Sequence, residues 1–204
     1  MADNGGRPST LYIELSERKL SVIVHSLFSA WMLAFIFEGQ IFYSLAGSFD
    51  LDHTIKVFCG IAAVLTGLLI CGFFVKTKKA ARCLFLYSYP FFAAVSIIFF
   101  FPPSALWTLG IIAGSFLAGC CVAAWGFYLK ESTPKNERIK TAADMLIFSN
   151  ILMILLNMTA IHLSPYAGLA FSMFLLLGAF LFALRLPADH DTASPGSPDQ
   201  KKTP

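Results

Sequence analysis

Residues Ala105–Leu163 read ALWTLGIIAGSFLAGCCVAAWGFYLKESTPKNERIKTAADMLIFSNILMILLNMTAIHL. Ala105–Leu129 is 25 residues without a charge, long enough to cross a hydrocarbon core of about 30 Å as a helix. Met145–Leu163 is a second apolar run, uncharged apart from His162. Between them lies Lys130–Lys140, with four basic residues, Lys130, Lys135, Arg138 and Lys140. Two apolar segments joined by a basic loop predict a pair of transmembrane helices whose loop stays on the cytoplasmic side.

Outward from this hairpin the same alternation repeats. The expected spans are Leu20–Tyr43, Ile55–Val75, Cys83–Phe101, Ala105–Leu129, a fifth running to Leu163, and Tyr166–Leu186. At 57% apolar and 13% charged, the chain carries about half the charge of an ordinary soluble domain, so lipid must solvate much of it. The fold class is therefore all-α, a polytopic six-transmembrane-helix bundle. It divides into a cytoplasmic N-terminal segment (1–19), a transmembrane domain (20–186) and a polar, proline-containing tail (187–204) that composition marks as disordered.

Lysine and arginine fix the orientation. Arg7, Arg18 and Lys19 precede the first span, and Lys76, Lys78, Lys79 and Arg82 follow the second. The basic loop follows the fourth span, and Arg185, Lys201 and Lys202 follow the sixth. The opposite side holds only Lys56. Both termini are expected in the cytoplasm.

Local chemistry adds detail. Gly60, Ala63 and Gly67 in the second span, with rows Gly110–Gly114–Ala118 and Ser115–Gly119–Ala123 in the fourth, predict close helix contact. Pro90 is expected to kink the third span. Thr133-Pro134 reads as an N-cap with proline at the first helical position of the fifth helix. The five cysteines lie in apolar stretches, without Cys-x-x-Cys spacing or a histidine at ligand distance, and read as packing residues. The terminal Lys201-Lys202 pair resembles a dilysine retrieval signal.

Polar residues inside the spans are the candidate pathway or ligand residues. Glu38 and Gln40 sit toward the outer end of the first span. A carboxylate at a helix centre costs about 2.5–3.5 kcal/mol, so Glu38 either faces a cavity or partner or reaches headgroup water. His25, with Ser21 and Ser29 at four-residue spacing, forms a short polar stripe suited to packing or to a proton relay. Asn150 and Asn157, seven apart, share one helix face, suited to a solute path or to interhelical hydrogen bonding. That face is expected to point into the bundle. Asp144 is one turn past Lys140 and is expected to pair with it. No catalytic constellation, cofactor site or metal set is legible, so no enzyme activity is expected.

The layout resembles the N-terminal half of the major facilitator superfamily: six spans, both ends inside, basic loops after spans two and four, and a polar tail. Gly119–Asn157, GCCVAAWGFYLKESTPKNERIKTAADMLIFSNILMILLN, is similar to the fourth-to-fifth helix region of bacterial facilitator-like membrane domains, including those fused to LuxR-type regulators. The loop beginning at Gly72 matches the family's basic character, with Lys76 and Lys79 at its aspartate and second glycine positions. Lys76, Lys79, Arg82 and Arg138 are thereby the cytoplasmic-loop candidates.

The resemblance implies a bacterial inner-membrane half-transporter, moving a small solute by alternating access at the interface with a second half, a homodimer partner or a separately encoded one. Two internal repeats would be spans one to three and four to six, although no residue-level match links them. No nucleic acid is expected as a partner. The alternatives are a non-transporting sensor or accessory module and a truncated transporter product. A polar cavity lined by Glu38, Asn150 and Asn157 favours transport, and a dry bundle favours the module.

Overall fold

The computed structural model describes residues 17–37, 39–52 and 54–186. Among them every regular element is helical, and six stretches are long and apolar enough to cross a membrane. The N-terminal segment before Glu17, Glu38, His53 and the tail from Pro187 lie outside the described residues, and with them the proposed retrieval signal.

Helix α1 (Glu17–Trp31) runs into a π-helical turn, Met32–Ile36, and after a break α2 (Gln40–Gly47) completes the first span. The other spans are α3 (Thr54–Phe74), α4 (Lys78–Ile98), α5 (Ala105–Ser132), α6 (Arg138–His162) and α7 (Pro165–Ala183).

The expectation of one continuous first helix is corrected. Phe37 N donates to Met32 O at 2.8 Å, an i→i−5 bond that widens the last turn. Gly39 then takes an extended conformation, φ −77° and ψ 133°. A Cβ at Gly39 would lie 2.0 Å from the Ala34 carbonyl oxygen, so the chain passes its own widened turn at a distance only glycine allows.

Other boundaries shift for identifiable reasons. The basic run after span two belongs largely to α4, whose first turn is capped by Thr77 Oγ1 accepting from Ala80 N at 3.1 Å. α4 carries Pro90 in its interior. Thr133 closes α5 rather than capping α6, because α5 extends to Ser132 and a turn, Glu137 N to Pro134 O at 2.9 Å, intervenes. Ser164 behaves as a cap, its Oγ accepting from Tyr166 N, with Pro165 at the first helical position.

The first span is the axis of the bundle. Its α1 face carries Phe28, Trp31 and, in the π turn, Phe35, all buried. Phe28 stacks on Tyr89 and Phe92 at 5.6 and 5.4 Å, Trp31 lies 4.7 Å from Phe92, and Phe35 meets Phe99 edge-on at 4.9 Å. Trp31 Nε1 donates to Ser96 Oγ at 3.0 Å in the interior. Aromatic pairs contribute about 0.5–1.5 kcal/mol beyond area burial, which matters where lipid removes most hydrophobic drive between helices. At one end α2 closes the bundle, burying Ile41 and Leu45 and setting Phe42 against Phe99 and Trp107.

The α3–α5 contact is the closest approach of two backbones. A Cβ at Gly67 would stand 2.0 Å from Phe116 O, and one at Gly119 2.0 Å from Val64 O. Each glycine admits the other helix's carbonyl, as the small-residue spacing predicts.

The packing has an internal order. Span one packs on spans five and six, span four on spans two and three, span three on span six, and spans one and four touch. Exchanging spans one, two and three with four, five and six returns the same set. The departures are the contact of span five with span six, which has no comparable counterpart between two and three, and the aromatic packing of span one on span three. Spans two and five, which exchange with each other, are also the least buried pair.

Candidate functional site

Two places on this bundle gather polar groups: the outward face of α6 and the end of the α1–α6 groove. On α6, Thr141, Met145, Ser149, Leu156 and Ala160 form the buried stripe, and Ser26 Oγ of α1 donates to Met145 O across it. Asn150 lies off that stripe and is exposed, its Nδ2 donating to Leu146 O of its own helix at 2.7 Å. The expectation that this face points into the bundle is corrected at Asn150, because the 3–4 spacing that meets α1 leaves it outside. Asn157 is half-buried, and its Oδ1 is closed off from solvent without a hydrogen-bond partner. Seven residues turn a helix by about 700°, so the two amides share one edge of α6, Asn150 exposed and Asn157 half-buried.

His25 does not join that edge. It is buried, stacked 4.3 Å from Trp125 of α5 with rings 6° from parallel, and 5.4 Å from Phe28. Its Nδ1 has no hydrogen-bond partner. Ser21 and Ser29 are buried beside it along the helix. Gln40, half-buried, is the first residue of α2 immediately after the glycine break. Glu38 lies outside the described residues. The structure therefore does not bring His25 to the two asparagines, and the interior between the spans is filled mainly by aromatic side chains.

At the other end, Arg18 Nη1 donates to Glu137, and Arg18 Nη2 stands 3.6 Å from Asp144 Oδ2. This corrects the expected Lys140–Asp144 pair. A lysine one turn before an acid is the weaker order for an i,i+4 pair, and α1 delivers a guanidinium alongside α6. Sequence reading missed this cluster because its members are more than a hundred residues apart. The available signal was the Arg18-Lys19 pair entering one span and Lys140 with Asp144 entering another.

The loop candidates separate into two kinds. Arg138 Nε donates to Thr133 O at 3.1 Å, and its Nη2 to Lys130 O, so this side chain occupies carbonyls left free at the end of α5. Arg82 Nη2 donates to Leu184 O at 2.9 Å and does the same for α7. Lys76 and Lys79 are exposed. All five cysteines are free thiols, with Cys120 and Cys121 buried and Cys120 Sγ bonded to Gly67 O. Among the described residues, no three His, Cys, Asp or Glu side chains converge.

The chain is an integral-membrane type of six-span helical bundle, and no protein-family model, curated protein or solved structure matches it.

Proposed function

We propose that this chain is one half of a facilitator-type transporter of the bacterial inner membrane, with both termini cytoplasmic. A small solute would move by alternating access once a second six-span half, a further copy or a separately encoded one, is docked against it. The observation that carries this is the exchange order of the packing. Six spans that interleave as two sets of three, with consecutive spans alternating in direction, have the organisation of inverted repeats nested within a facilitator half. The exposure of the exchange-related spans α3 and α6 supports placing a second half against them, and the Asn150–Asn157 edge lies on one of them. An interior filled by aromatic side chains counts toward the module, so the transport reading rests on the exchange order of the packing alone.

A second reading, a non-transporting sensor or accessory module, is favoured by the poverty of polar groups on those outward faces. The transporter reading requires a protein partner at α3 and α6, whereas a module that senses a ligand does not. Photo-cross-linkers placed at Leu65 on α3 and Ile154 on α6, both exposed, test this in native membranes. Protein adducts from these positions, with lipid adducts alone from Tyr87 on α4 and Phe174 on α7, support it. Lipid adducts alone from all four remove it. Orientation is tested separately by thiol labelling of a single cysteine at position 135, which must be protected from outside intact cells.

A further inference from the structure

We infer that the groove between α1 and α6 is a binding site for one anionic phospholipid. At its mouth a cavity of about 530 Å³ is lined by Arg18, Lys19, Lys140 and Asp144, and narrows to Ile23 and Phe148. A second cavity, about 250 Å³, continues from the same Ile23 and Phe148 past Leu27, Ile151 and Leu152. The shared residues make them one groove with a charged head and an apolar stem.

The head is suited to a phosphate. Arg18 is engaged by Glu137 and Asp144, whereas Lys19 and Lys140 are exposed and form no ion pair among the described residues. Two ammonium groups therefore flank the mouth at the level where both helices enter the membrane. Below them the only polar side chain is Ser26, whose hydroxyl is already given to Met145 O at 3.2 Å. The stem therefore offers a ligand apolar contact and no further hydrogen-bond donor.

The length is suited to an acyl chain. From Lys19 to Leu27 along α1, and from Lys140 to Leu152 along α6, the groove descends roughly 12–18 Å at 1.5 Å per residue. That is about the depth of one leaflet of a hydrocarbon core about 30 Å thick. A free phosphate would use the mouth and leave the stem idle, so the geometry commits to a lipid. Basic pockets between spans on the cytoplasmic side are the usual setting for such headgroups.

The site is separate from the proposed partner edge. Phe148 and Asn150 project about 200° apart on α6, so the groove and the asparagine edge lie on different sides of that helix. It rests on α1 and α6 crossing a membrane and not on the transporter reading.

Native mass spectrometry of the full chain, released from nanodiscs of equal phosphatidylcholine and phosphatidylglycerol, tests it. One retained phosphatidylglycerol is expected per chain. Lys19→Gln with Lys140→Gln should weaken retention about 25-fold, the product of about five-fold for each lysine. Ile151→Trp, which fills the stem and keeps every charge, should also lose the lipid. Lys76→Gln with Lys79→Gln should retain it, and added inorganic phosphate should not displace it. The inference is overturned if the Lys19 and Lys140 double variant retains lipid like the parent. It is equally overturned if Ile151→Trp does so, if the Lys76 and Lys79 control loses as much, or if inorganic phosphate displaces the lipid.

Discussion

Replacing Gly119 by alanine adds one methyl group at the tightest point of the bundle. The new carbon would stand 2.0 Å from Val64 O and 2.8 Å from Leu68 N. Comfortable non-bonded contact for carbon is about 3.5 Å, so α3 must withdraw by about 1 Å or more. A gap of that size forfeits a quarter to a half of the attraction across the atoms it separates, and α5 is the helix on which α3 chiefly packs. Overpacking of this kind costs about 1–3 kcal/mol, and the upper part of the range is expected because backbone, not a movable side chain, is struck. Gly126→Ala is the control, since nothing lies within 4 Å of its Cβ. That change should be neutral or stabilise by up to about 1 kcal/mol through helix propensity. Reversible unfolding in mixed detergent micelles, followed by circular dichroism, measures both. If Gly119→Ala is as benign as Gly126→Ala, the close α3–α5 contact is not what holds α3 in place.

Gly39→Ala should destabilise by a comparable 1–3 kcal/mol, because its Cβ meets the Ala34 carbonyl; unchanged thermal unfolding would mean that the break after the π turn relaxes freely. Trp31→Phe should cost about 1 kcal/mol through the lost bond to Ser96, and no change in the unfolding midpoint would show that Ser96 finds another partner. Asn157→Leu should leave the isolated chain's stability unchanged or raised, since its Oδ1 is unpaired, while weakening self- or partner association measured by energy transfer between labelled chains. A loss of stability without a change in association would place Asn157 among packing residues instead.

The spans were readable because charge and hydropathy vary along the chain on the scale of a whole helix. Their ends were less so, since Lys78, Arg82 and Lys130 are basic markers of a loop that the helices extend into. The break in span one rests on a single glycine within an apolar run, and periodicity does not distinguish a tolerated glycine from an obligatory one. The two asparagines were correctly read as sharing a face. Which way that face points depends on which residues meet α1, and Ser149 and Leu156 compete with them as the buried stripe by only a fraction of a turn. The Arg18–Asp144 contact is a matter of tertiary neighbours: each segment shows its charges at a span entrance, and neither shows which span lies beside it.

The central claim, that six spans are half of the working assembly, is tested most directly by the mass of the complex extracted from native membranes in polymer-bounded lipid discs. The account predicts a particle holding two six-span units, either two copies of this chain or one copy with a different six-span protein. A particle holding a single copy and lipid alone, at expression levels matching the native membrane, would contradict it.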